Sequence, residues 1–549
     1  LQTFHLFADS SALSLMDKQY DSIASSHPLG ARCGIYDALT GLYYDNVRID
    51  LRGQTTASFN KKSHGLLFSK VQPLSCVDPV SGMEFDGVRK TSFVAAYSDP
   101  SCLRQALSYY VMRSHGMPVP NDYPVRLNLN GAFYELAWNS NRFTDEYLED
   151  IAELDPLGYA WKGCGTLSGS GEKTLPELGG SDASSVMSAF ASSIAGVTAV
   201  SESGDAVELP VVTKTVVKSF DLPAWLNYLA TVKITQECDD VWANICMYRD
   251  YNSSLPKRGG EAWTGTWRPL AYDNHLSWGA WFYGDDTGYG RNGLRTTDDR
   301  FKSHPFYGGM RVLCHKYNSS TVFNSGNRGY EAVWQSAKFR RLFLRRLRTL
   351  MDQTLLPPGT PREATPFWGY VTNLLAACST EDALDHAKWG YGTGTQIWDW
   401  PPKMDMAQGV EDLWNNYIVP RRVHLYETHS ITNTEKGVGY ERHLSAGIPA
   451  AQSAFEELKG QLTVERCDGG VVIRNGNDEE VDLSGWKLKG PVKLKFPPGT
   501  VIDRCIEGSP GEVFVVTNRL AYVNAHDHEL VDQVIVGNAK VGDGRLTFT

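Results

Sequence analysis

The fold is decided around residues 221–250, which read DLPAWLNYLATVKITQECDDVWANICMYRD. The wider segment 218–250 has helical character, and Asp221 followed closely by a proline is typical of a helix start. Asp239 and Asn244 then stand five residues apart. A carboxylate can accept the proton of a hydroxyl group, and an amide oxygen can bind a hard divalent cation. The segment therefore predicts a helix that leads into a reactive polar loop.

A second cluster lies upstream, where residues 52–68 read RGQTTASFNKKSHGLLF. A turn of small and hydroxyl residues between strands offers backbone N–H groups, and a following lysine offers an ammonium group. These are the donors that phosphate oxygens require, so Arg52 and either Lys61 or Lys62 are candidate phosphate ligands. Adjacent residues of a strand point to opposite faces, so only one of the two lysines can serve.

A third cluster follows, where residues 267–279 read WRPLAYDNHLSWG. A strand-like run ends at Asp273 and precedes a glycine-rich acidic loop. A carboxylate at the end of a buried strand is suited to hold Mg²⁺ against phosphates. Taken singly, the first two clusters are more typical of ordinary turn and surface residues, and Asp273 is equally compatible with a turn cap.

Composition limits the class of protein. The chain has 549 residues, too many for one compact core, so two or three domains are expected. It carries 53 basic and 63 acidic residues, a net charge of −10, which argues against a protein that coats nucleic acid or an anionic membrane. No apolar run is long enough to predict a membrane span. Neither G-x-S-x-G nor H-E-x-x-H occurs, and His526-Asp527-His528 is typical of surface residues rather than a metal site.

The N-terminal region is predicted to be rich in strands. Residues 42–56 alternate apolar and charged side chains with the period of a half-buried strand. Residues 101–116 have helical spacing, with Ser101 as the expected N-cap. Residues 123–138 predict a hairpin that turns at Asn130-Gly131.

The later part of the chain divides into three regions. Residues 163–208, rich in Gly, Ser and Ala, are interpreted as an insertion. Residues 330–356 predict an amphipathic helix that packs on one face and exposes its arginines to solvent. Residues 469–502 are strand and turn throughout and predict a small β-sandwich. The expected domains are therefore 1–455 and 456–549.

Cysteines and sequons favour a secreted glycoprotein with some disulfides. There are ten cysteines, and Cys467 and Cys505 are candidates to bridge the C-terminal domain. Asn252 and Asn318 each begin an N-x-S/T sequon in a polar, turn-like stretch. The chain begins at Leu1 rather than Met, as a processed mature chain or a trimmed fragment would. An intracellular chain with scattered buried thiols is the alternative.

Taken together and in this order, the three clusters resemble those of the spore coat protein H kinase-like family, the CotH kinases. The resemblance covers roughly residues 1–450, except the 163–208 insertion. It implies an α+β, atypical protein-kinase-like fold and ATP-dependent phosphorylation of Ser or Thr in secreted or coat proteins, with Mg²⁺ or Mn²⁺. Residues 456–549 resemble a lamin-tail domain, an immunoglobulin-like sandwich, whose expected partner is another protein or an extracellular matrix.

The resemblance also implies residue roles. It assigns Arg52 and Lys61, or the neighbouring Lys62, to the nucleotide phosphates. It assigns the catalytic role to Asp239, with Asp240 as an alternative.

In the same family pattern, Asn244 and Asp273 are the metal ligands.

Two departures from the family pattern open a second reading. The family usually reads Asp-x-Asp in the third cluster, whereas this chain has His275 at the second position. The family commonly has a Glu near the position of Asn141, and Glu135 and Glu146 stand at other spacings. A catalytically degraded, kinase-like structural or adhesion protein is therefore the alternative function. Transfer of AMP instead of phosphate is a third.

Overall fold

The structure is a computed structural model, and its described parts are scattered along the chain. They comprise residues 1–19, 31–53, 55–78, 82, 84–156, 158–162, 172–175, 182–195, 210–237, 244–249, 266–279, 329, 332–333, 336–390, 404–432, 447–467, 469–490, 493–516, 533–536 and 547–548.

The N-terminal region forms a closed barrel in the strand order β1-β2-β3-β4-β7-β9-β8. Its strands are antiparallel except at the closure, where β1 runs parallel to β8. The predicted strand over 42–56 is β3, and Val47, Ile49 and Leu51 face the interior as its alternation requires. The barrel strands and a peripheral pair, β5 and β6, are β1 (Gln2–Ala8), β2 (Ala31–Asp37), β3 (Tyr43–Arg52), β4 (Ser63–Leu67), β5 (Leu74–Val77), β6 (Glu84–Val88), β7 (Lys90–Val94), β8 (Asp122–Leu129) and β9 (Ala132–Asn141).

The hairpin prediction is confirmed. Strands β8 and β9 are joined by Asn130 and Gly131, which have φ angles of +50° and +89°. Both central residues of a two-residue hairpin turn of this kind need positive φ, which Asn tolerates and Gly adopts freely. The turn brings the second half of β9 against β7 and closes one wall of the barrel.

A second sheet has the order β11-β10-β12-β13. Its strands are β10 (Tyr159–Lys162), β11 (Glu172–Leu175), β12 (Ile245–Arg249) and β13 (Trp267–Ala271). The expectation of helical character through residue 250 is wrong at this point. The helix ends at Thr235 because Gln236 takes a left-handed conformation, and the apolar residues of β12 pair with β10 and β13 instead.

Helices pack around these two sheets. In the described residues they are α1 (Ser10–Gln19), α2 (Arg104–Ser114), α3 (Asp182–Ala195), α4 (Pro210–Ser219), α5 (Leu222–Thr235), α6 (Ala337–Thr354), α7 (Trp368–Trp389), α8 (Met406–Leu413), α9 (Val419–Val423) and α10 (Phe455–Leu458). Asp221 caps α5 as predicted, because its carboxylate accepts the Ala224 N–H. The predicted cap of α2, Ser101, is wrong. The Asp99 carboxylate accepts the Arg104 N–H, and Ser101 hydrogen-bonds to Asp99.

The arginines of α6 do not form the solvated face that the sequence pattern predicts. Arg340, Arg345 and Arg346 are buried. Arg346 donates to Asp482 at 2.9 Å, and Arg341 donates to Asp503 at 2.6 and 3.0 Å. The reason is that an acidic surface of the C-terminal region lies on this helix, so charged residues on both sides become interface residues.

The C-terminal region is made of short strands with a hydrophobic cluster of its own, drawn from residues between Leu458 and Phe548. Its strands are β14 (Leu462–Cys467), β15 (Gly470–Asn475), β16 (Val481–Asp482), β17 (Lys487–Lys489), β18 (Leu494–Lys495), β19 (Val501–Ile502), β20 (Gly511–Val516), β21 (Gln533–Val536) and β22 (Thr547–Phe548). They form one four-stranded sheet and smaller ladders. Cys467 and Cys505 are free thiols, so the bridge considered between them is not formed.

Among the helices in the described ranges, none is long and apolar enough to cross a membrane.

Substitutions at the buried contact between α6 and the C-terminal region are expected to lower the free energy of unfolding more than substitutions at solvated ion pairs. Arg346→Met leaves Asp482 buried without its cation and should lower the free energy of unfolding by about 3–5 kcal/mol. Arg362→Met is the control, because Arg362 and its partner Glu411 are largely solvated and such a pair contributes about 0–1 kcal/mol. Urea unfolding of both variants measures the difference, and equal losses would contradict the assigned interface.

Candidate functional site

A pocket lies where one end of the barrel meets the second sheet. It encloses about 780 Å³ of space, including its open mouth. Barrel residues supply one wall, and Asp273 and His275, which follow β13, supply the opposite side. Phe59, Tyr97 and Trp138 add aromatic surface. A concave site with apolar walls and a few convergent polar groups is the usual form of a small-molecule site.

Arg52, at the end of β3, joins the barrel to the second sheet. Its guanidinium donates to Ser92 of β7 and, at 3.0 Å, to the hydroxyl of Tyr272. Lys162 of β10 donates to the same hydroxyl at 2.7 Å, with its ammonium 4.1 Å from the centre of the Tyr272 ring. Two cations therefore converge beside the pocket, and one of them, Lys162, was not predicted from the sequence.

The turn after Arg52 depends on a glycine. Gly53 has a φ angle of +99°, and a Cβ atom there would lie 2.0 Å from the Thr56 hydroxyl. Only glycine fits that conformation in that space. The predicted turn is thus a tight one that leads through Thr55–Ser58 toward the lysines.

Asn244 and Asp273 are brought together by the second sheet. Asn244 immediately precedes β12 and Asp273 follows β13, and these antiparallel strands pair Ile245 with Ala271. The Asn244 amide nitrogen lies 3.4 Å from the main-chain oxygen of Asp273. Asp273 has a φ angle of +59°, and its N–H donates to the buried Tyr109 hydroxyl at 3.0 Å. The backbone thus turns sharply at the predicted metal ligand.

The Asp273 carboxylate is held in its charged form. Enclosure opposes its ionisation, but His275, Arg52 and Lys162 outweigh that effect and keep the pKa of Asp273 well below its usual value. The side chain remains 37% exposed, so water or a ligand reaches it. An ionised, accessible carboxylate beside two cations fits a site for a metal–phosphate complex.

His275 contacts this carboxylate directly. Its Nδ1 lies 2.5 Å from Asp273 Oδ1. His275, which stands where the family pattern has its second Asp, therefore contacts one carboxylate oxygen of Asp273.

Of the two candidate lysines, Lys61 lines the pocket. Its ammonium donates to the Leu136 carbonyl at 2.7 Å and to Asp385 Oδ2 at 2.9 Å, and the side chains of the ion pair are both 0% exposed. Lys62 instead donates to the Ala57 carbonyl at 2.6 Å. Burial disfavours the Lys61 charge, but Asp385 and Glu135 outweigh it and raise the pKa of Lys61.

Glu135 is a second carboxylate near Lys61. It is 0% exposed, and neither carboxylate oxygen has a hydrogen-bond partner among the described residues. Burial raises the pKa of Glu135 to about 8, although Lys61 opposes this rise. The sequence indicated only that Glu135 stood at the wrong spacing for the family Glu, so its proximity to Lys61 is a result of the fold.

Asp122 is a further acidic group of the pocket. It is 8% exposed, and its Oδ1 accepts from Gln105 at 3.1 Å. Burial is the largest effect on Asp122 and raises its pKa to about 7. The Asp273 carboxylate adds to that rise in the pKa of Asp122.

Several predicted residues lie outside the described residues. These are Asp239 and Asp240, the two sequons, and the His526-Asp527-His528 motif. Asn141, near the position of the family Glu, lies at the end of β9 and lines a separate polar cavity. Lys61 and Asn141 therefore belong to different cavities.

The donor set at Asp273 fits a hard cation. Carboxylate and amide oxygens are the ligands that Mg²⁺ and Mn²⁺ prefer. Within the described ranges, no three His, Cys, Asp or Glu side chains gather closely enough to hold a metal by themselves. A metal held at Asn244 and Asp273 would therefore need further ligands.

Sequence reasoning missed Asp385, although a signal was present. The buried side chains of α7 include Val371, Leu374, Cys378, Asp382 and Asp385, at helical spacing. Two acidic residues therefore stand on an apolar stripe, and an acid in such a place requires a buried partner. Nothing in the local sequence says which cation that partner is.

Comparison with known proteins gives one family. Residues 49–358 match the family model described as "CotH kinase protein", which is more than half of the 549-residue chain. No curated protein matches the sequence. The matched segment contains Arg52, Lys61, Asn244 and Asp273, and it ends before α7.

Glu135 is expected to make stability depend on pH. Its pKa is about 8 in the folded chain and about 4.5 when unfolded, so the folded state retains the proton longer. The contribution of protonated Glu135 to the free energy of unfolding is complete below pH ~4.5 and is lost as pH rises through about 8. Glu135→Gln keeps the shape and removes the titration, so its free energy of unfolding should fall less between pH 5 and pH 9 than that of wild type. Denaturant unfolding across this range measures it. Glu84→Gln, on an exposed side chain, is the control, and identical slopes in all three chains would refute the assignment.

Proposed function

The chain belongs to the CotH kinase protein family, and we propose that it is an ATP-dependent protein kinase that phosphorylates Ser or Thr hydroxyls. The pairing of Asn244 with Asp273 beside Arg52 and Lys162 carries this proposal, because it combines candidate metal ligands with phosphate-binding cations. Phosphoryl transfer depends mainly on positioning and on neutralising charge, and this arrangement is suited to both.

ATP with Mg²⁺ or Mn²⁺ is the proposed cofactor. Asn244 and Asp273 would hold the cation, which when bound supplies neutralisation of the phosphate charge. His275 and the neighbouring cations keep the Asp273 carboxylate deprotonated. Asp122, with its raised pKa, adds a proton-holding group to the same pocket.

The remaining proposed roles are phosphate binding and proton transfer from the acceptor. Arg52 and Lys61 bind and orient phosphate oxygens from the barrel side. Asp239, or the adjacent Asp240, accepts the proton of the acceptor hydroxyl as its oxygen forms the bond to phosphorus and ADP leaves. The aromatic surface of Phe59, Tyr97 and Trp138 is proposed to pack against the nucleotide base.

The acceptor and compartment follow from the same family relationship. We propose an extracellular or coat protein as acceptor, and secretion with glycosylation at Asn252 or Asn318. The C-terminal region is proposed to be a lamin-tail-like, immunoglobulin-like sandwich that binds another protein or an extracellular matrix. A mobility shift of the secreted chain after glycosidase treatment tests the proposed secretion and glycosylation.

A second candidate function is a catalytically inactive structural or adhesion protein. The observation that favours it is the contact between His275 and Asp273, which occupies an oxygen that a metal would need. Binding of ATP with metal is the property that separates the two functions.

The kinase proposal is tested by transfer of labelled phosphate from ATP to a Ser-rich acceptor with Mn²⁺. Asp239→Ala and Asp273→Ala are each expected to lower the rate by orders of magnitude, because they remove the base and a metal ligand. Lys62→Ala is the control, since the Lys62 ammonium donates to the neighbouring Ala57 carbonyl. Transfer that persists unchanged in both Asp variants would falsify these roles. Mass spectrometry of the product separates phosphate from AMP.

A thermal-shift assay distinguishes the proposed kinase from the catalytically inactive protein and needs no acceptor protein. ATP with Mn²⁺ at 100 times its dissociation constant should stabilise the folded chain by about 2.7 kcal/mol. ATP alone, and Asp273→Asn with both ligands, should give smaller shifts. No shift of the wild-type chain at millimolar ATP and Mn²⁺ would support the inactive protein.

A further inference from the structure

Helix α7 places an acidic residue inside the protein. Asp385 is 0% exposed and lies on the same buried stripe as Leu374 and Cys378. A buried carboxylate costs several kcal/mol of desolvation unless a cation and hydrogen-bond donors satisfy it. Asp385 is therefore expected to have a specific structural partner.

Both carboxylate oxygens of Asp385 are engaged by the barrel. Oδ2 accepts from the Lys61 ammonium at 2.9 Å, and Oδ1 accepts from the Leu136 N–H at 2.8 Å. Lys61 in turn donates to the Leu136 carbonyl at 2.7 Å. The N–H and C=O groups of Leu136, the Lys61 ammonium and the Asp385 carboxylate thus form a closed ring of hydrogen bonds. This ring restricts the ammonium to one position at the pocket wall.

The end of the helix is fastened to the same strand. Lys388 donates to the carbonyls of Phe133 and Tyr134 at 3.0 and 2.9 Å, and the Trp389 indole donates to Tyr134 at 2.9 Å. The Lys388 ammonium also lies 4.7 Å from the centre of the Tyr134 ring. These contacts fix Asp385 relative to β9.

Glu135 is a second acidic group that acts on Lys61, so the pairing of Lys61 with Asp385 is a selection between two acids. Lys61 lies within the field of two carboxylates, and it forms its hydrogen-bonded ion pair with Asp385. If Asp385 is neutralised, Glu135 is the remaining acidic group that acts on Lys61, and the ammonium favours the ionised form of Glu135. Removal of the Asp385 charge is therefore expected to move Lys61 and not only to weaken packing.

We propose that Asp385 is the positioning residue of Lys61, and that α7 is part of the nucleotide site although it lies beyond the family segment 49–358. The proposal rests on the proposed function, because it assumes that Lys61 binds a nucleotide phosphate. In protein kinases a lysine that contacts the phosphates must likewise be paired with an acidic residue on a helix. Here that helix is supplied by the C-terminal side of the chain.

The test measures ATP affinity of the full chain by isothermal titration with Mn²⁺. Asp385→Asn should weaken binding roughly tenfold or more, about 1.4 kcal/mol. Asp382→Asn is the matched control, because Asp382 lies on the same buried stripe but accepts from the Met406 N–H at 3.0 Å. Equal losses in the two variants overturn this proposal alone. A wild-type chain that binds no ATP overturns it together with the proposed function.

A double-mutant cycle distinguishes positioning from a general structural effect. If Asp385 acts through Lys61, adding Asp385→Asn to Lys61→Gln should change the affinity less than twofold. Losses that add in the double variant contradict the proposal. The double variant also leaves no unpaired charge at this ion pair, so it folds even where the single variant is impaired.

Should Asp385→Asn fail to fold, Asp385→Glu takes its place with Asp382→Glu as control. Glutamate keeps the charge but shifts the ammonium by one methylene group. A lower ATP affinity in Asp385→Glu than in Asp382→Glu is the expected result, and equal affinities overturn the proposal.

Discussion

The buried ion pair between Lys61 and Asp385 is the constraint on which the rest of the site depends. It joins residues separated by 324 positions, and neither side chain has any exposure to water. Two charges in such a place are tolerated only because the Leu136 peptide groups satisfy their remaining hydrogen bonds. The pair consequently fixes the barrel, the pocket wall and a C-terminal helix relative to one another.

Opposite the lysine, a second group of charges is arranged around Asp273. Arg52 and Lys162 meet at the Tyr272 hydroxyl, and their field keeps the neighbouring carboxylate ionised. Such clustering is costly in the absence of a ligand, because like charges are held close together. A site that binds phosphate and a divalent cation would satisfy both groups at once, which is why this arrangement favours phosphoryl chemistry over a purely structural role.

The C-terminal region is connected to the same machinery. Arg346 of α6 donates to Asp482 and also to Asn227 of α5, the helix that leads toward the Asp239 segment. Asn227 in turn donates to the His115 carbonyl at the end of α2. A chain of buried polar contacts therefore links the C-terminal strands to the helix that precedes the proposed catalytic loop.

The sequence by itself determined the features that depend on short-range periodicity and turn chemistry. The alternation in β3, the Asn130-Gly131 turn and the cap of α5 were all predicted, because each depends on residues within a few positions of one another. The proximity of Asn244 and Asp273 was anticipated only through the family resemblance. Tertiary structure alone decided the partners of buried charge: Asp385 for Lys61, and Asp482 for Arg346. An apolar stripe shows that an acid or arginine is buried, but the cation or carboxylate that compensates it comes from a distant part of the chain, and only folding brings the two together.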